Sequence, residues 1–101
     1  MIKISNGIIT ECNIEGVTFK KEIISLSHTL ARPQTPMKPA WVTVHNTGDP
    51  NVPAENLSTY INRLNSYKSW HVTIDEKTII QQLPFNEIGW HAGDSAIGPG
   101  N

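Results

Sequence analysis

The chain has 101 residues, of which 38% are hydrophobic and 17% charged, with a formal net charge of −1. This length allows at most one small domain with a modest core. The charge balance shows no basic excess of the kind that binds nucleic acid, and no apolar run is long enough to span a membrane. No secretory signal is visible, and one cysteine, Cys12, cannot form an internal disulfide. We therefore expect a protein made in the cytoplasm that binds neither nucleic acid nor membranes.

Residues 1–40 are predicted to form short strands followed by an extended segment. Apolar residues flank Asn6-Gly7 and Glu15-Gly16, and Asn-Gly between apolar residues is typical of a β-hairpin. Residues 20–30 fit a strand or a helix equally well. Three prolines then fall between residues 33 and 39, which predicts extended surface backbone. His28 has no partner nearby in the sequence, so we interpret it as a surface or packing residue.

The stretch from Trp41 to Gly48 is predicted to be a short strand that ends in a polar loop. Apolar β-branched residues alternate with Thr43, and His45 follows where the strand gives way to Asn-Thr-Gly. An imidazole at the end of a strand is held rigidly and still faces solvent, which suits a metal ligand or a general base. The alternative is a histidine that caps the strand by hydrogen bonding.

A helix is predicted after this loop. Asn51 is the predicted N-cap, and Pro53 lies in the first turn, where proline is tolerated. Apolar residues at helical spacing should pack on a sheet, with Tyr60 in the core. This apolar stripe consists of Leu57, Tyr60, Ile61 and Leu64.

A β-hairpin is predicted next. Two runs rich in β-formers, 70–74 and 78–83, flank the polar residues 75–77. Residues 84–101 contain proline and several glycines, so we expect them to be mainly loop.

Three histidines, His45, His71 and His91, are predicted to lie at or beside strand ends, where they could converge on one face of a small sheet. Their spacing matches no compact metal motif. Two of them directly follow a tryptophan, in Trp70-His71 and Trp90-His91. Such pairs suit a groove for a ligand with sugar rings and amides, because indoles stack on sugar faces and imidazoles form hydrogen bonds. The alternative is that both tryptophans belong to the core and both histidines are incidental.

Several motifs in order resemble one enzyme family. They are Val42-Thr-Val-His45-Asn-Thr-Gly48, Ser69-Trp-His71-Val-Thr-Ile-Asp75, Gln81-Gln-Leu-Pro84 and Asn86-Glu-Ile-Gly-Trp-His91-Ala-Gly-Asp94. In this order they resemble the type-2 N-acetylmuramoyl-L-alanine amidases of phage endolysins and bacterial autolysins, which share a fold with the peptidoglycan recognition proteins. The resemblance covers residues 36–101, the N-terminal part of such a catalytic domain, whereas residues 1–35 form a lead-in that is similar only loosely. It implies an α/β (α+β) fold with a mixed sheet flanked by helices.

The resemblance implies a zinc hydrolase that cleaves the amide between N-acetylmuramic acid and L-alanine of the peptidoglycan stem peptide. Zinc with an open coordination position generates a strong nucleophile from water and stabilises the developing oxyanion. In the family the histidine of the His-Asn-Thr motif is a zinc ligand, which corresponds to His45. The implied substrate-binding residues are Asn46, Thr47, Trp70, His71, Trp90, His91 and Ala92. Of these, His71 is expected to orient its neighbours rather than to bind metal.

The family pattern continues beyond Asn101. A catalytic glutamate, a second histidine and a third ligand, typically cysteine, follow there in the family, so we assign no catalytic residue in this chain and expect the fold to be incomplete at its C-terminus. Cys12 lies in the wrong place in the fold order to replace the missing ligand. Glu87 is the carboxylate nearest to the expected groove, but it does not match the catalytic position, and we interpret it as a surface residue.

The sequence leaves two main functional hypotheses. In the first, the chain is part of a peptidoglycan amidase that is active only as a complete domain. Phage endolysins commonly lack a signal and wait in the cytoplasm for release to the cell wall, which fits the absent signal. In the second, the chain is a non-catalytic peptidoglycan-binding or self-associating module, whose uncovered sheet edges favour a homodimer or strand exchange. A third possibility is that His45, His71 and His91 bind a metal by themselves.

Overall fold

Two small sheets and a helix organise the protein in a computed structural model that describes residues 1–40, 42–45 and 51–90. The elements, in chain order, are β1 (Ile2–Ser5), β2 (Ile8–Cys12), β3 (Thr18–Lys21), α1 (Ala54–Arg63), β4 (Val72–Ile74) and β5 (Thr78–Gln81). None of the helices in these ranges has the length and apolar character needed to cross a bilayer.

The first sheet is the antiparallel hairpin of β1 and β2, as predicted. Asn6 and Gly7 form its turn with φ angles of 51° and 76°. Two successive residues with positive φ are what a tight turn of this hand requires, and Asn-Gly adopts that conformation most readily. The Gly7 carbonyl accepts hydrogen bonds of 2.8 Å from the Phe85 backbone N–H and from the Gln81 side chain. The hairpin is therefore docked on the chain that follows β5.

The second sheet is mixed, with β5 in its centre. It pairs parallel with β3 and antiparallel with β4, in the order β3-β5-β4, which confirms both the mixed sheet and the hairpin predicted for residues 70–83. Residues 20–30 contain no helix. Lys20 and Lys21 belong to β3, and the Ile24 N–H continues the pairing by donating to the Gln82 carbonyl at 2.8 Å.

Helix α1 packs on β4 and β5, and its buried face matches the predicted stripe only in part: Ile61 is buried and Leu64 packs against the core, but Tyr60 does not. The buried residues are Ala54, Ser58 and Ile61, whereas Tyr60 is 45% exposed. The prediction that Tyr60 lies in the core is therefore wrong. Each helical residue is rotated by about 100° from the one before it. Because Ile61 and Ser58 face the sheet, Tyr60 is turned towards solvent.

The start of the helix also differs from the prediction. Pro53, not Asn51, occupies the N-cap position and makes no side-chain cap hydrogen bond. The carboxylate of Asp75, which follows β4, instead accepts a hydrogen bond of 2.9 Å from the Ala54 N–H. A carboxylate there also interacts favourably with the positive end of the helix dipole.

The predicted strand over residues 41–44 is wrong where the structure describes it. Residues 42–45 belong to no strand, and the side chains of Val42 and Val44 are 91% and 87% exposed; Trp41 lies outside the described residues. β-Branched residues favour extended backbone, but a strand also needs a hydrogen-bonded neighbour and a face to bury. Within the described ranges, the strand pairing of the mixed sheet is confined to β3, β4 and β5.

Candidate functional site

The Ser-Trp-His motif and the segment that ends at Trp90 lie side by side. The Ser69 N–H donates to the Trp90 carbonyl at 3.1 Å, and the Ser69 hydroxyl accepts from the Trp90 N–H at 3.0 Å. Ser69 is fully buried, so this two-bond connection is shielded from water. Two of the segments predicted to form a substrate groove are thus held together by the backbone N–H and the hydroxyl of Ser69.

His71 is fixed in one orientation between β4 and this segment. Its Nε2 lies 2.6 Å from the Glu87 carbonyl. A carbonyl oxygen only accepts, so Nε2 carries a proton and donates it to this hydrogen bond. The ring centroid lies 6.3 Å from that of Phe85, at a tilt of 33°. The hydrogen bond to Glu87 orients His71 itself, and the expectation that His71 orients its neighbours stays a prediction.

Trp70 is held from the interior. Its ring is half-buried against the core cluster of Ile24, Ala31, Ile61 and Leu83. Its Nε1–H donates to the Thr73 hydroxyl at 2.6 Å, and that hydroxyl donates to Gln82 Oε1 at 2.9 Å. Gln82 is fully buried and in turn donates to the Ser58 hydroxyl at 3.1 Å. A chain of buried hydrogen bonds therefore links α1 to the indole of Trp70 and sets its orientation.

Trp90 faces a residue that the sequence analysis missed. The rings of Tyr67 and Trp90 meet edge to face, with centroids 5.9 Å apart and planes at 84°. Tyr67 is 71% exposed, whereas Trp90 is half-buried. Among the described residues, the buried Trp90 Nε1 has no hydrogen-bond partner. The only signal in the sequence was an aromatic residue in a polar run three positions before Trp70.

Glu87 is not the surface residue that we predicted. Its carboxylate receives two hydrogen bonds of 2.9 Å from the Arg32 guanidinium, and the two side chains are only 16% and 13% exposed. Arg32 also donates to the Ile24 carbonyl at 2.9 Å. The paired positive charge offsets the cost of burying the carboxylate. The sequence offered no signal for this pair, whose members lie 55 positions apart.

His45 is exposed in the segment 42–45. Across the described ranges, no three His, Cys, Asp or Glu side chains are grouped closely enough to hold a metal ion. A protein zinc site needs three or four such ligands, so the described residues do not make up a zinc site. The other predicted site residues, Asn46, Thr47, His91 and Ala92, lie outside the described residues, and a three-histidine site therefore stays a hypothesis.

His28 and Cys12 take no part in the candidate site. Both side chains are half-buried, and His28 Nδ1 is buried without a hydrogen-bond partner among the residues that the structure describes. This agrees with the second of the two alternatives predicted for His28, a surface or a packing residue.

The comparisons with known proteins agree on one family. Residues 35–101 match Amidase_2, described as N-acetylmuramoyl-L-alanine amidase. The chain is 42% identical over 87 residues to the N-acetylmuramoyl-L-alanine amidase CwlH of Bacillus subtilis (strain 168), covering 84% of this chain and 34% of that protein. It is 44% identical over 72 residues to XlyA of the same organism, covering 69% of this chain and 24% of that amidase.

Two solved structures show the same fold. One is a mutant endolysin from Bacillus subtilis, with a TM-score of 0.71 and 40% identity over 78% of this chain and 52% of that one. The other is the solution structure of the PlyG catalytic domain, with a TM-score of 0.73 and 30% identity over 84% of this chain and 51% of that one. The chain thus spans about half the length of these solved chains and about a third and a quarter of the two amidases.

Proposed function

The chain belongs to the N-acetylmuramoyl-L-alanine amidase family (Amidase_2), and from this premise we propose that it contributes to a peptidoglycan hydrolase. The bond cleaved is the amide that joins the lactyl group of N-acetylmuramic acid to L-alanine of the stem peptide. The observation that carries this proposal is the arrangement of the family's Ser-Trp-His motif. Buried Ser69 joins it to Trp90, and the Glu87 carbonyl orients His71 beside it.

The described residues support binding and orientation of the substrate. We place His71 in the substrate groove, where the hydrogen bond between its Nε2 and the Glu87 carbonyl holds the imidazole in one orientation. Aromatic rings such as that of Trp90 suit the apolar face of a sugar. A rigid backbone around both residues lowers the entropy lost when the substrate binds.

The family is typically zinc-dependent, and we propose that His45 is one of the zinc ligands. A bound zinc ion would act as a Lewis acid and would lower the pKa of a coordinated water molecule. The described residues alone do not complete such a site, so further ligands have to come from other residues. His45 fits the role in two respects, because its side chain is exposed and it stands in the His-Asn-Thr motif.

The test is His45→Ala in the complete amidase domain. We expect hydrolysis of purified cell walls to be abolished, with an unchanged circular-dichroism spectrum and a lower zinc content. Cleavage is followed by turbidity and by the appearance of new L-alanine amino termini, which only this bond yields. His28→Ala serves as the matched control, since His28 lies outside the motifs shared with the family, and it should retain activity. Wall lysis by the His45→Ala protein would contradict the assignment.

A second candidate function is self-association without catalysis. It is favoured by apolar side chains on the strands at the edges of both sheets: Ile2 and Ile4 of β1 are 51% and 55% exposed, and Ile74 of β4 is 67% exposed. Strands with unpaired edges and apolar surface tend to pair with another chain. Sedimentation of the chain over a range of concentrations tests this proposal. A monomer at all concentrations would contradict it.

A further inference from the structure

We propose that Tyr67 is a further substrate-binding residue, and that Tyr67 and Trp90 together form an aromatic corner for an N-acetylated sugar ring of the glycan strand. This inference rests on the proposed function, because it names the part of the peptidoglycan that one side of the site would bind. It adds a residue outside the motifs by which the sequence resembles the family.

The geometry of the pair leaves an aromatic face available. In an edge-to-face pair, the ring that presents its edge keeps both faces free, and the ring that presents its face keeps the other face free. The planes of Tyr67 and Trp90 meet at 84°, and 71% of the Tyr67 side chain is exposed. In either arrangement, a face of the Tyr67 ring is open to solvent beside Trp90. The C–H face of a sugar ring stacks on such a surface, while the sugar's polar groups stay hydrated or reach neighbouring donors.

The backbone beneath the corner is fixed on both sides. Ser69, two positions after Tyr67, forms hydrogen bonds with both the N–H and the carbonyl of Trp90. Lys68 lies between them, and its ammonium group is 5.4 Å from the Tyr60 ring centroid. Its backbone N–H donates to the Ser66 carbonyl at 2.7 Å. A ligand that binds the corner therefore orders little additional backbone, which favours binding even to a small aromatic surface.

The chemistry of the corner favours the glycan over the stem peptide. Both corner side chains are uncharged, and the Lys68 ammonium lies against the ring of Tyr60. A neutral sugar ring needs an apolar stacking surface, and the two aromatic rings provide it. The carboxylates of a stem peptide would instead call for a cationic partner.

The chain itself offers a matched control for this proposal. Tyr60 is also an exposed tyrosine near the same segment, at 45% exposure, but its described ring partner is the Lys68 ammonium rather than Trp90. If any exposed tyrosine in this region bound the sugar, loss of either ring would weaken binding equally. The proposal instead requires that only Tyr67 matters.

The experiment is a calorimetric titration of the full chain with the peptide-free disaccharide N-acetylglucosaminyl-N-acetylmuramic acid, whose lactyl carboxylate is converted to the uncharged methyl amide. We expect Tyr67→Ala to weaken binding about tenfold, from the loss of one stacked ring. Tyr67→Phe, which keeps the ring, and Tyr60→Ala should bind as the unaltered chain does. A measurement that needs no substitution accompanies it. In a nuclear magnetic resonance experiment on the unaltered chain, we expect saturation of the Tyr67 ring protons to be transferred to the C–H protons of the bound sugar.

Several results would overturn the proposal. One is that Tyr67→Ala binds the disaccharide as tightly as the unaltered chain, and another is that Tyr67→Phe or Tyr60→Ala loses as much affinity as Tyr67→Ala. The proposal also fails if the unaltered chain does not bind the disaccharide, or if Tyr67→Ala weakens only the binding of a free stem peptide. Failure of the proposed function gives a different result, because bond cleavage is measured separately on the complete domain. Absence of new L-alanine amino termini together with Tyr67-dependent disaccharide binding would refute the amidase and leave the aromatic corner standing.

Discussion

Removal of the Arg32 guanidinium is expected to destabilise this protein more than removal of any exposed cation. In Arg32→Ala, the Glu87 carboxylate loses both of its 2.9 Å hydrogen bonds while its side chain stays 16% exposed. The carbonyl of the fully buried residue Ile24 also loses the 2.9 Å hydrogen bond that it accepts from the same guanidinium. The backbone of Glu87 also carries the carbonyl that orients His71, so the same change loosens the candidate site.

The magnitude follows from burial. Breaking a fully buried ion pair by removing one partner costs about 3–5 kcal/mol, whereas an exposed pair contributes about 0–1 kcal/mol. With side chains that are 13% and 16% exposed, Arg32 and Glu87 lie near the buried limit, and we expect a loss of about 3 kcal/mol in the free energy of unfolding. For a domain of this size, that corresponds to a fall in Tm of roughly 10–20 °C.

Urea unfolding followed by tryptophan fluorescence measures this loss. The control is Lys3→Ala, which breaks a pair with Glu11 whose side chains are 61% and 41% exposed and should shift the midpoint little. The double variant Arg32→Met/Glu87→Leu removes both buried charges and should recover much of the stability lost in Arg32→Ala. A loss in Arg32→Ala no larger than in Lys3→Ala would refute the argument from burial.

Two further predictions concern a glycine and a carboxylate. Gly7 and Gly16 have φ angles of 76° and 79°, but a Cβ at Gly7 would lie 2.7 Å from Asn86 Oδ1, whereas at Gly16 it meets no atom within 4 Å. In both alanine variants we expect backbone strain to lower the free energy of unfolding by about 1 kcal/mol. Thermal melting should show a further loss of stability only in Gly7→Ala, because of the clash with Asn86. Equal Tm values for the two variants would contradict the clash. Hydrogen bonds from the Ala54 N–H and from two N–H groups of the β4–β5 turn lower the pKa of Asp75. The stability from this carboxylate is therefore present above its ordinary pKa of 3.8 and lost as the pH falls through the lowered value. Acid unfolding of Asp75→Asn should lack this dependence, and an unchanged pH profile would count against the cap.

Local features of this protein could be predicted from the sequence because short-range chemistry decides them. Asn6-Gly7 specifies a turn through the φ angles that these residues adopt, and the polar residues 75–77 between two β-rich runs specify the second hairpin. The periodicity of residues 57–64 predicted a helix, and the order of the motifs predicted the family. Helix spacing alone, however, did not reveal which neighbouring stripe faces the sheet. Ser58 is buried there because its hydroxyl bonds to Glu22 and Gln82, and Tyr60 is exposed as a result.

Contacts between distant parts of the chain were decided only by the tertiary structure. The parallel pairing of β3 with β5, the Asp75 cap of α1 and the Arg32–Glu87 pair each join residues at least 21 positions apart. Nothing local marks such partners, because either arginine and any of several carboxylates or strands has the right chemistry. The meeting of Tyr67 with Trp90 is of the same kind. The sequence determined the family and predicted residues of the candidate site, and the packing of the sheets determined which other residues hold Trp70, His71 and Trp90 in place.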